Sequence, residues 1–294
     1  MKKQSLIICF CCSLTAGHAD AQPFIDIARV NYSYTPQNGI NKKQEPLSSH
    51  IYSINAALPI ELKKDGDAIV INPFFDHNQG SIDHRSFNVV SQGLALGFLK
   101  KTTNKKWSLF TNFILRRNKQ TGKQVNDCWQ YGGIALTTWN KRPGLSIRVG
   151  GVYYNRESFG NFFIPLAGID WKIDSRNNLF GVLPGNLTFE HRINKSFYWG
   201  SVFRAMTNSY RMETIDPCFG GDCSGKNYLR IDDNQLGLFA DTYLTSNIVI
   251  TAEAGYTIFR RYRFGFRGNS SHHYSDLKSD NFYFRLQLAF RYRR

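Results

Sequence analysis

Residues 281–294 read "NFYFRLQLAFRYRR", and apolar and polar side chains alternate along this stretch. Apolar or aromatic side chains occupy every second position from Phe282 to Tyr292. Arg285 and Arg291 lie on the opposite phase. A period of two is typical of a β-strand whose two faces differ. The stretch therefore predicts a strand with one face toward membrane acyl chains and the other toward a wet interior.

The same alternation recurs along most of the chain, in segments of about nine to eleven residues, the length that a tilted strand needs to cross a bilayer. Helical periodicity is essentially missing from the sequence. Aromatic residues reach 15%, yet the mean hydropathy is −0.37. A soluble β-sandwich and a lipid-embedded barrel both produce this combination. The length of the segments favours an all-β, transmembrane, antiparallel up-and-down β-barrel. The segments lie at 24–34, 50–62, 85–99, 107–115, 128–139, 145–153, 162–171, 178–193, 197–206, 234–244 and 248–258.

The number of strands depends on residues 171–193, "WKIDSRNNLFGVLPGNLTFEHRI". If Pro184 and Gly185 turn two short strands there, the barrel has about fourteen strands. If part of this segment folds inward or lies at the rim, the number is about twelve. Both termini of such a barrel belong on the periplasmic side, so the number is even. We expect about twelve strands, with fourteen as the alternative.

Connections of two sizes largely alternate along the chain, as short periplasmic turns and longer outside loops do. The longer, irregular segments are 35–49, 76–84, 117–127, 212–233 and 265–281. Cys218 and Cys223 flank "FGGD" in the fourth of these and could form a loop disulfide. Cys128 is expected to be an ordinary strand residue.

The N-terminus has the features of a secretory signal peptide. Lys2 and Lys3 precede an apolar run at 6–14, and Ala19 and Ala21 form an A-x-A site. We expect cleavage before Gln22, which divides the chain into a signal peptide at 1–21 and a barrel domain at 22–294. This organisation predicts the outer membrane of a Gram-negative bacterium as the location.

Two neighbouring stretches carry a family resemblance. "PLAGIDWKI" (165–173) is followed by "LFGVLPGNLTFEHRI" (179–193). This proline-interrupted pattern resembles an uncharacterised family of Gram-negative outer-membrane β-barrels, porin-like barrels of unknown function. The resemblance implies the barrel fold and supplies no activity, cofactor or site residue.

The search for chemistry finds no catalytic motif. The sequence contains no G-x-S-x-G, no H-E-x-x-H and no Gly-rich phosphate loop. His272 and His273 lie in the polar stretch "NSSHHYSD", and a flexible outside loop is the simpler interpretation. His191 falls near a strand end, where a rim hydrogen bond is the default. We therefore expect no enzyme, no cofactor and no metal.

Basic residues exceed acidic ones by 37 to 22, for a net charge of +15. No nucleic-acid recognition module accompanies them. Basic clusters at 116–119 and 260–267 adjoin predicted outside loops, so their expected partners are outer-membrane lipid and lipopolysaccharide. The last strand resembles the signal read by outer-membrane assembly machinery, a further expected partner. The oligomeric state stays open.

Charged residues on the inward phase of the strands allow either an open or a plugged lumen. Four arginines on the inward phase would favour anions if the lumen is open, and they would plug it if they pair with carboxylates such as Glu253. Strand pairing would bring Glu253 near Arg291. These possible lumen charges are Arg29, Arg148, Glu253, Arg285 and Arg291.

Three functions are compatible with these features. The first is a porin-like or small-solute transport barrel with, at minimum, a structural role in the outer membrane. The second is an outer-membrane enzyme that acts on lipid or peptide at a barrel rim. The third is a surface-binding, adhesive barrel.

Overall fold

The computed structural model describes residues 23–37, 46–62, 66–82, 85–104, 106–122, 128–156, 160–212, 227–267 and 271–293. This part of the chain contains sixteen β-segments and no helix. The segments are β1 (Phe24–Thr35), β2 (Leu47–Ala56), β3 (Leu58–Glu61), β4 (Ala68–Ile82), β5 (Arg85–Lys101), β6 (Trp107–Gln120), β7 (Trp129–Arg142), β8 (Leu145–Arg156), β9 (Gly160–Lys172), β10 (Asn177–Leu183), β11 (Asn186–Arg192), β12 (Phe197–Met212), β13 (Asn227–Tyr243), β14 (Ile248–Arg267), β15 (Ser271–Lys278) and β16 (Phe282–Arg293).

The segments form one closed antiparallel barrel of fourteen strands. Each strand pairs with its neighbour in sequence, and β1 pairs with β16 to close the ring, with Val30 opposite Leu288. β2 and β3 are successive parts of one strand, because both pair with β4. β15 and β16 likewise both pair with β14. A closed ring leaves no strand edge exposed to lipid.

The preference for twelve strands is therefore wrong, and the alternative of fourteen is correct. Residues 177–192 form a hairpin of two seven-residue strands, β10 and β11, that turns at Pro184 and Gly185. Gly181 has a φ of +150°, and an added Cβ would lie 2.3 Å from the carbonyl oxygen of Asn186. The hairpin ends short of the outer ends of its neighbours. Leu183 pairs with Ala167 in the middle of β9, and Asn186 pairs with Arg204 in the middle of β12.

The outward face of the barrel carries a continuous belt of exposed apolar side chains. On β16, Phe282, Phe284, Leu286, Leu288 and Phe290 are each at least 45% exposed. The residues between them are buried or half-buried against the interior. An exposed apolar belt of this kind is unfavourable in water and matches the hydrocarbon layer of a membrane.

Exposed aromatic side chains lie toward both ends of this belt. Trp107 and Trp139 stack with their ring centroids 5.9 Å apart, next to the turns that follow β5 and β7. Tyr131 and Tyr153 pair at 6.5 Å toward the opposite end. Two such levels are the arrangement that interfacial aromatic girdles adopt.

The strands extend further on the outer side than expected. Residues 76–84 were expected to be a loop, but β4 continues to Ile82 and β5 begins at Arg85. The expected loops at 212–233 and 265–281 also contain parts of β13, β14 and β15. At this level β6 and β12 approach each other directly, with Lys119 opposite Arg211, and so bypass the shorter strands β7–β11.

An apolar cluster fills this narrowed outer end of the barrel. Its members are at most 6% exposed and come from opposite sides of the ring. A narrow barrel can be filled by side chains alone, so the long outer strand ends are stabilised by burial of this cluster. We call it the outer cluster: Leu47, Ile82, Phe87, Val89, Tyr210, Met212, Leu229, Ile231, Tyr262 and Phe264.

Among the described residues, no helix is long and apolar enough to cross a membrane. Cys128 is buried and free. Cys218, Cys223 and the proposed signal peptide lie outside the described residues, so the loop disulfide and the cleavage before Gln22 stay predictions.

Candidate functional site

A polar cavity of about 540 Å³ lies inside the barrel, on the inner side of the outer cluster. Its lining comes from β1, β2, β4, β6, β10 to β14 and β16. Five arginines and four carboxylates face it. They are Arg29, Arg116, Arg204, Arg285, Arg291, Asp26, Asp76, Asp241 and Glu253.

Arg204 of β12 and Glu253 of β14 form a two-pronged ion pair across the wall of the cavity. Nη1 and Nη2 of Arg204 donate to the two carboxylate oxygens at 2.6 and 2.5 Å. The hydroxyl of Tyr283 donates to the same carboxylate at 2.7 Å. The planar fork of a guanidinium matches a carboxylate in this geometry, so the pair neutralises both charges.

Arg291 of β16 joins two carboxylates that lie on either side of its strand, one on the adjacent β1 and one on β13, two strands away. Its Nε donates to Asp26 of β1 at 2.5 Å, and its Nη1 donates to Asp241 of β13 at 2.5 Å. Thr251 donates to the other oxygen of Asp241 at 2.5 Å. The guanidinium also lies 3.6 Å from the ring centroid of Phe24. Arg291 is therefore fully engaged.

The remaining three arginines contact neutral amides instead of carboxylates. Nε of Arg29 donates to Oδ1 of Asn55 at 3.0 Å. Nη1 of Arg116 donates to Oδ1 of Asn208 at 3.0 Å. Nη2 of Arg285 donates to Oε1 of Gln235 at 3.0 Å. In the described part of the chain, none of the three forms an ion pair.

Asp76 of β4 is the fourth carboxylate of the cavity. It lies opposite Ser53 of the neighbouring strand, and Arg116 and Arg29 are the cations that act on it electrostatically. One carboxylate thus stands near two of the three unpaired arginines, and the cavity retains an excess of positive charge.

The cavity brings together four of the five predicted lumen charges: Arg29, Arg285, Arg291 and Glu253. Arg148 lies elsewhere and pairs with Asp170 of β9. The expected proximity of Glu253 to Arg291 is wrong, because β14–β16 register places Glu253 opposite Arg285 and its side chain bonds to Arg204.

Sequence reasoning missed five charged residues of the cavity. Extending the inward phase of each strand would have found Arg116, because Phe113 and Leu115 beside it point outward. The same reasoning applies to Arg204, because Trp199 on its strand points outward and Arg204 is at a position of the opposite parity. The other members follow in the same way from the outward residues of their own strands. The missed residues are Asp26, Asp76, Arg116, Arg204 and Asp241.

The basic clusters expected near the outside loops are partly turned inward. Arg116 lines the cavity, as described above. Arg260 is 2% exposed and donates to both carboxylate oxygens of Asp233, at 2.8 and 3.1 Å. A bulge reverses the phase of β14 here: Phe259 has a φ of 57° and is 74% exposed. These two side chains therefore face the interior of the barrel, and the lipopolysaccharide partner stays a prediction.

The histidines considered for catalysis form no catalytic arrangement among the described side chains. Nδ1 of His191 is 2.7 Å from Oδ1 of Asn177, and its ring lies 5.9 Å from that of Trp199. The backbones of His272 and His273 belong to β15, where a loop was expected, and their side chains lie outside the described part. No group of three or more potential metal ligands occurs among the described residues.

Comparison with known proteins gives a family and several similar solved structures. The Pseudomonas putida F1 COG4313 outer membrane channel is 11% identical, with a TM-score of 0.48 over 95% of this chain and 98% of the channel. Pseudomonas aeruginosa OpdQ is 9% identical, with a TM-score of 0.31 over 90% and 97% of the two chains. Pseudomonas aeruginosa OccK5 is 10% identical, with a TM-score of 0.30 over 94% and 99%.

No curated protein matches the chain. The model of a domain of unknown function, DUF6268, matches residues 17–293, which include all sixteen β-segments. The chain therefore belongs to the DUF6268 family.

Proposed function

We propose that this chain is an outer-membrane β-barrel of a Gram-negative bacterium with a porin-like, small-solute transport role. The closed ring and its exposed apolar belt support the membrane location, since both suit a hydrocarbon surrounding. The lipid that contacts this belt and the outer-membrane assembly machinery are its proposed partners. The observation that carries the transport role is the charged cavity of about 540 Å³ inside the barrel.

The outer cluster controls access to this cavity from outside. Its members lie nearer the outer strand ends than the cavity residues do, as Ile82 and Asp76 on β4 illustrate. Phe87 and Tyr262 meet across the interior with ring centroids 5.5 Å apart. Solute passage from outside therefore requires the cluster to move, and we expect low conductance from the resting barrel.

Conductance measurements on a trimmed barrel test this role. We expect the double variant Phe87→Ala, Tyr262→Ala to increase single-channel conductance in planar bilayers and solute flux into liposomes. The matched control is Phe163→Ala, because Phe163 points outward and is 67% exposed. The control should behave as the unmodified chain does. If neither the original nor the trimmed barrel conducts ions or passes solutes, the transport role is wrong.

A further inference from the structure

The cavity contains three cations that its own carboxylates leave without ion pairs. Two carboxylates share Arg291, and a third is held by Arg204. Arg29, Arg116 and Arg285 make single hydrogen bonds to amide oxygens at 3.0 Å each. Nε of Arg116 has no acceptor among the described residues. Several N–H donors with positive charge thus remain available toward one enclosed space.

Cations placed this way carry a desolvation cost that a bound anion would offset. Charged groups in a confined interior are normally paired, because removal from water is costly. A guanidinium presents donors in a planar fork whose best complements are carboxylate and phosphate oxygens. A bound oxyanion would supply the acceptors that the described side chains leave out.

The geometry holds two of these donors, those of Arg29 and Arg116, in place. Register across β1, β2, β4, β5 and β6 puts Arg29 and Arg116 on one row, with Asn55, Phe74 and Gly93 between them. The guanidinium of Arg116 lies 5.0 Å from the ring centroid of Phe74. Gly93 makes this packing possible, since a Cβ there would lie 2.6 Å from the Phe74 ring. Such fixed donors bind at a lower entropic cost than flexible ones do.

We infer that this cavity binds a small solute carrying a carboxylate or phosphate group, with Arg29, Arg116 and Arg285 as its cationic ligands. The volume falls in the range of small-molecule sites, about 300–1,000 Å³. Asp76 lies beside the site and opposes anion binding. The inference deepens the proposed function by naming its solute class, and it rests on that proposal only for the route by which the anion arrives.

Equilibrium binding to the folded barrel in detergent tests the site without any need for transport. The probes are inorganic phosphate and succinate, measured by isothermal titration calorimetry at low ionic strength. We expect Arg29→Gln and Arg285→Gln each to weaken binding by about tenfold or more, because each removes a charge-assisted hydrogen bond. We expect Asp76→Asn to strengthen binding, since it removes the opposing charge.

The arginine variants should lower the anion affinity and Asp76→Asn should raise it. These opposite effects separate a binding site from a general change in folding. Arg176→Gln is the matched control, because Arg176 is an exposed residue of the turn between β9 and β10. It should leave both affinities unchanged. Folded content is checked by the shift in gel mobility on heating. Equal affinities for Arg285→Gln and the unmodified chain, or no binding of either probe at millimolar concentration, would overturn the inference.

The same proteins in planar bilayers distinguish failure of the site from failure of the proposed function. A barrel that binds phosphate or succinate, yet carries no current even when Phe87→Ala and Tyr262→Ala are added, retains the site and loses the transport role. A barrel that conducts but binds neither anion, with no anion preference in its reversal potential, retains the role and loses the site.

Discussion

Removal of Arg291 should expose the energetic cost of an uncompensated charge inside the barrel. Its side chain is 4% exposed, and the side chains of its two partners, Asp26 and Asp241, are 11% and 1% exposed. Arg291→Met keeps much of the side-chain volume and leaves both carboxylates without their cation. Loss of one partner from a buried ion pair costs about 3–5 kcal/mol, so we expect a decrease of this size in the free energy of unfolding.

Urea unfolding of the barrel in lipid vesicles, followed by tryptophan fluorescence, measures this change. Adding Asp241→Asn to Arg291→Met should recover part of the loss, because the amide removes one buried charge. Arg261→Met is the control: Arg261 lies 3.7 Å from Asp276, and the two side chains are 37% and 41% exposed. An exposed pair contributes about 0–1 kcal/mol. If Arg291→Met costs no more than this control, the assignment of a buried ion-pair network is incorrect.

Three further predictions concern the wall of the barrel. Leu238→Arg places a charge in the outward belt, where Leu238 is 62% exposed, and should cost about 2–4 kcal/mol of unfolding free energy in vesicles; a neutral effect would argue against lipid contact there. Gly181→Ala should destabilise the barrel by more than about 1 kcal/mol, whereas Gly133→Ala, whose nearest neighbour would lie 3.3 Å away, should cost less; the reverse order would contradict the hairpin geometry. In a chain whose only cysteine is Cys128, which is 2% exposed, a maleimide should react after unfolding and not before; rapid labelling of the folded barrel would refute its burial.

The barrel class was predictable because alternation is a local property of the chain. The outward phase from Phe282 to Phe290 can be identified from the sequence alone, and the structure confirms it. The number of strands was less accessible. Residues 171–193 contain turn signals, but only pairing with β9 and β12 shows that both halves of the hairpin belong to the ring.

The outer part of the barrel was misjudged because its strands look polar. The stretch 76–84, "DHNQGSIDH", has the composition of a loop, yet most of it belongs to β4. Ile82 is buried by residues more than a hundred positions away, such as Tyr210 and Leu229. Long-range packing of this kind overrides local propensity, and a local pattern cannot reveal it.

The sequence indicates which charged residues line the cavity, but it does not indicate which of them form ion pairs. Parity identifies which arginines point inward, but the partner of each depends on register and on strands that are distant in sequence. Glu253 illustrates this, since its ion-pair partner Arg204 lies on β12 rather than on the adjacent β16. The bulge at Phe259 is a second example, because it reverses the inward phase and turns Arg260 into the interior.

Spin-label accessibility along the last strand tests the central claim most directly. Single labels at Leu286 and Leu288, and at Arg285 and Gln287, would be compared in lipid vesicles for collision with oxygen, which concentrates in lipid, and with a water-soluble nickel complex. We predict a period of two: oxygen contacts the labels at Leu286 and Leu288, and the nickel complex preferentially contacts those at Arg285 and Gln287. Equal access of the nickel complex to all four positions would contradict the account, because both faces of the strand would then meet water.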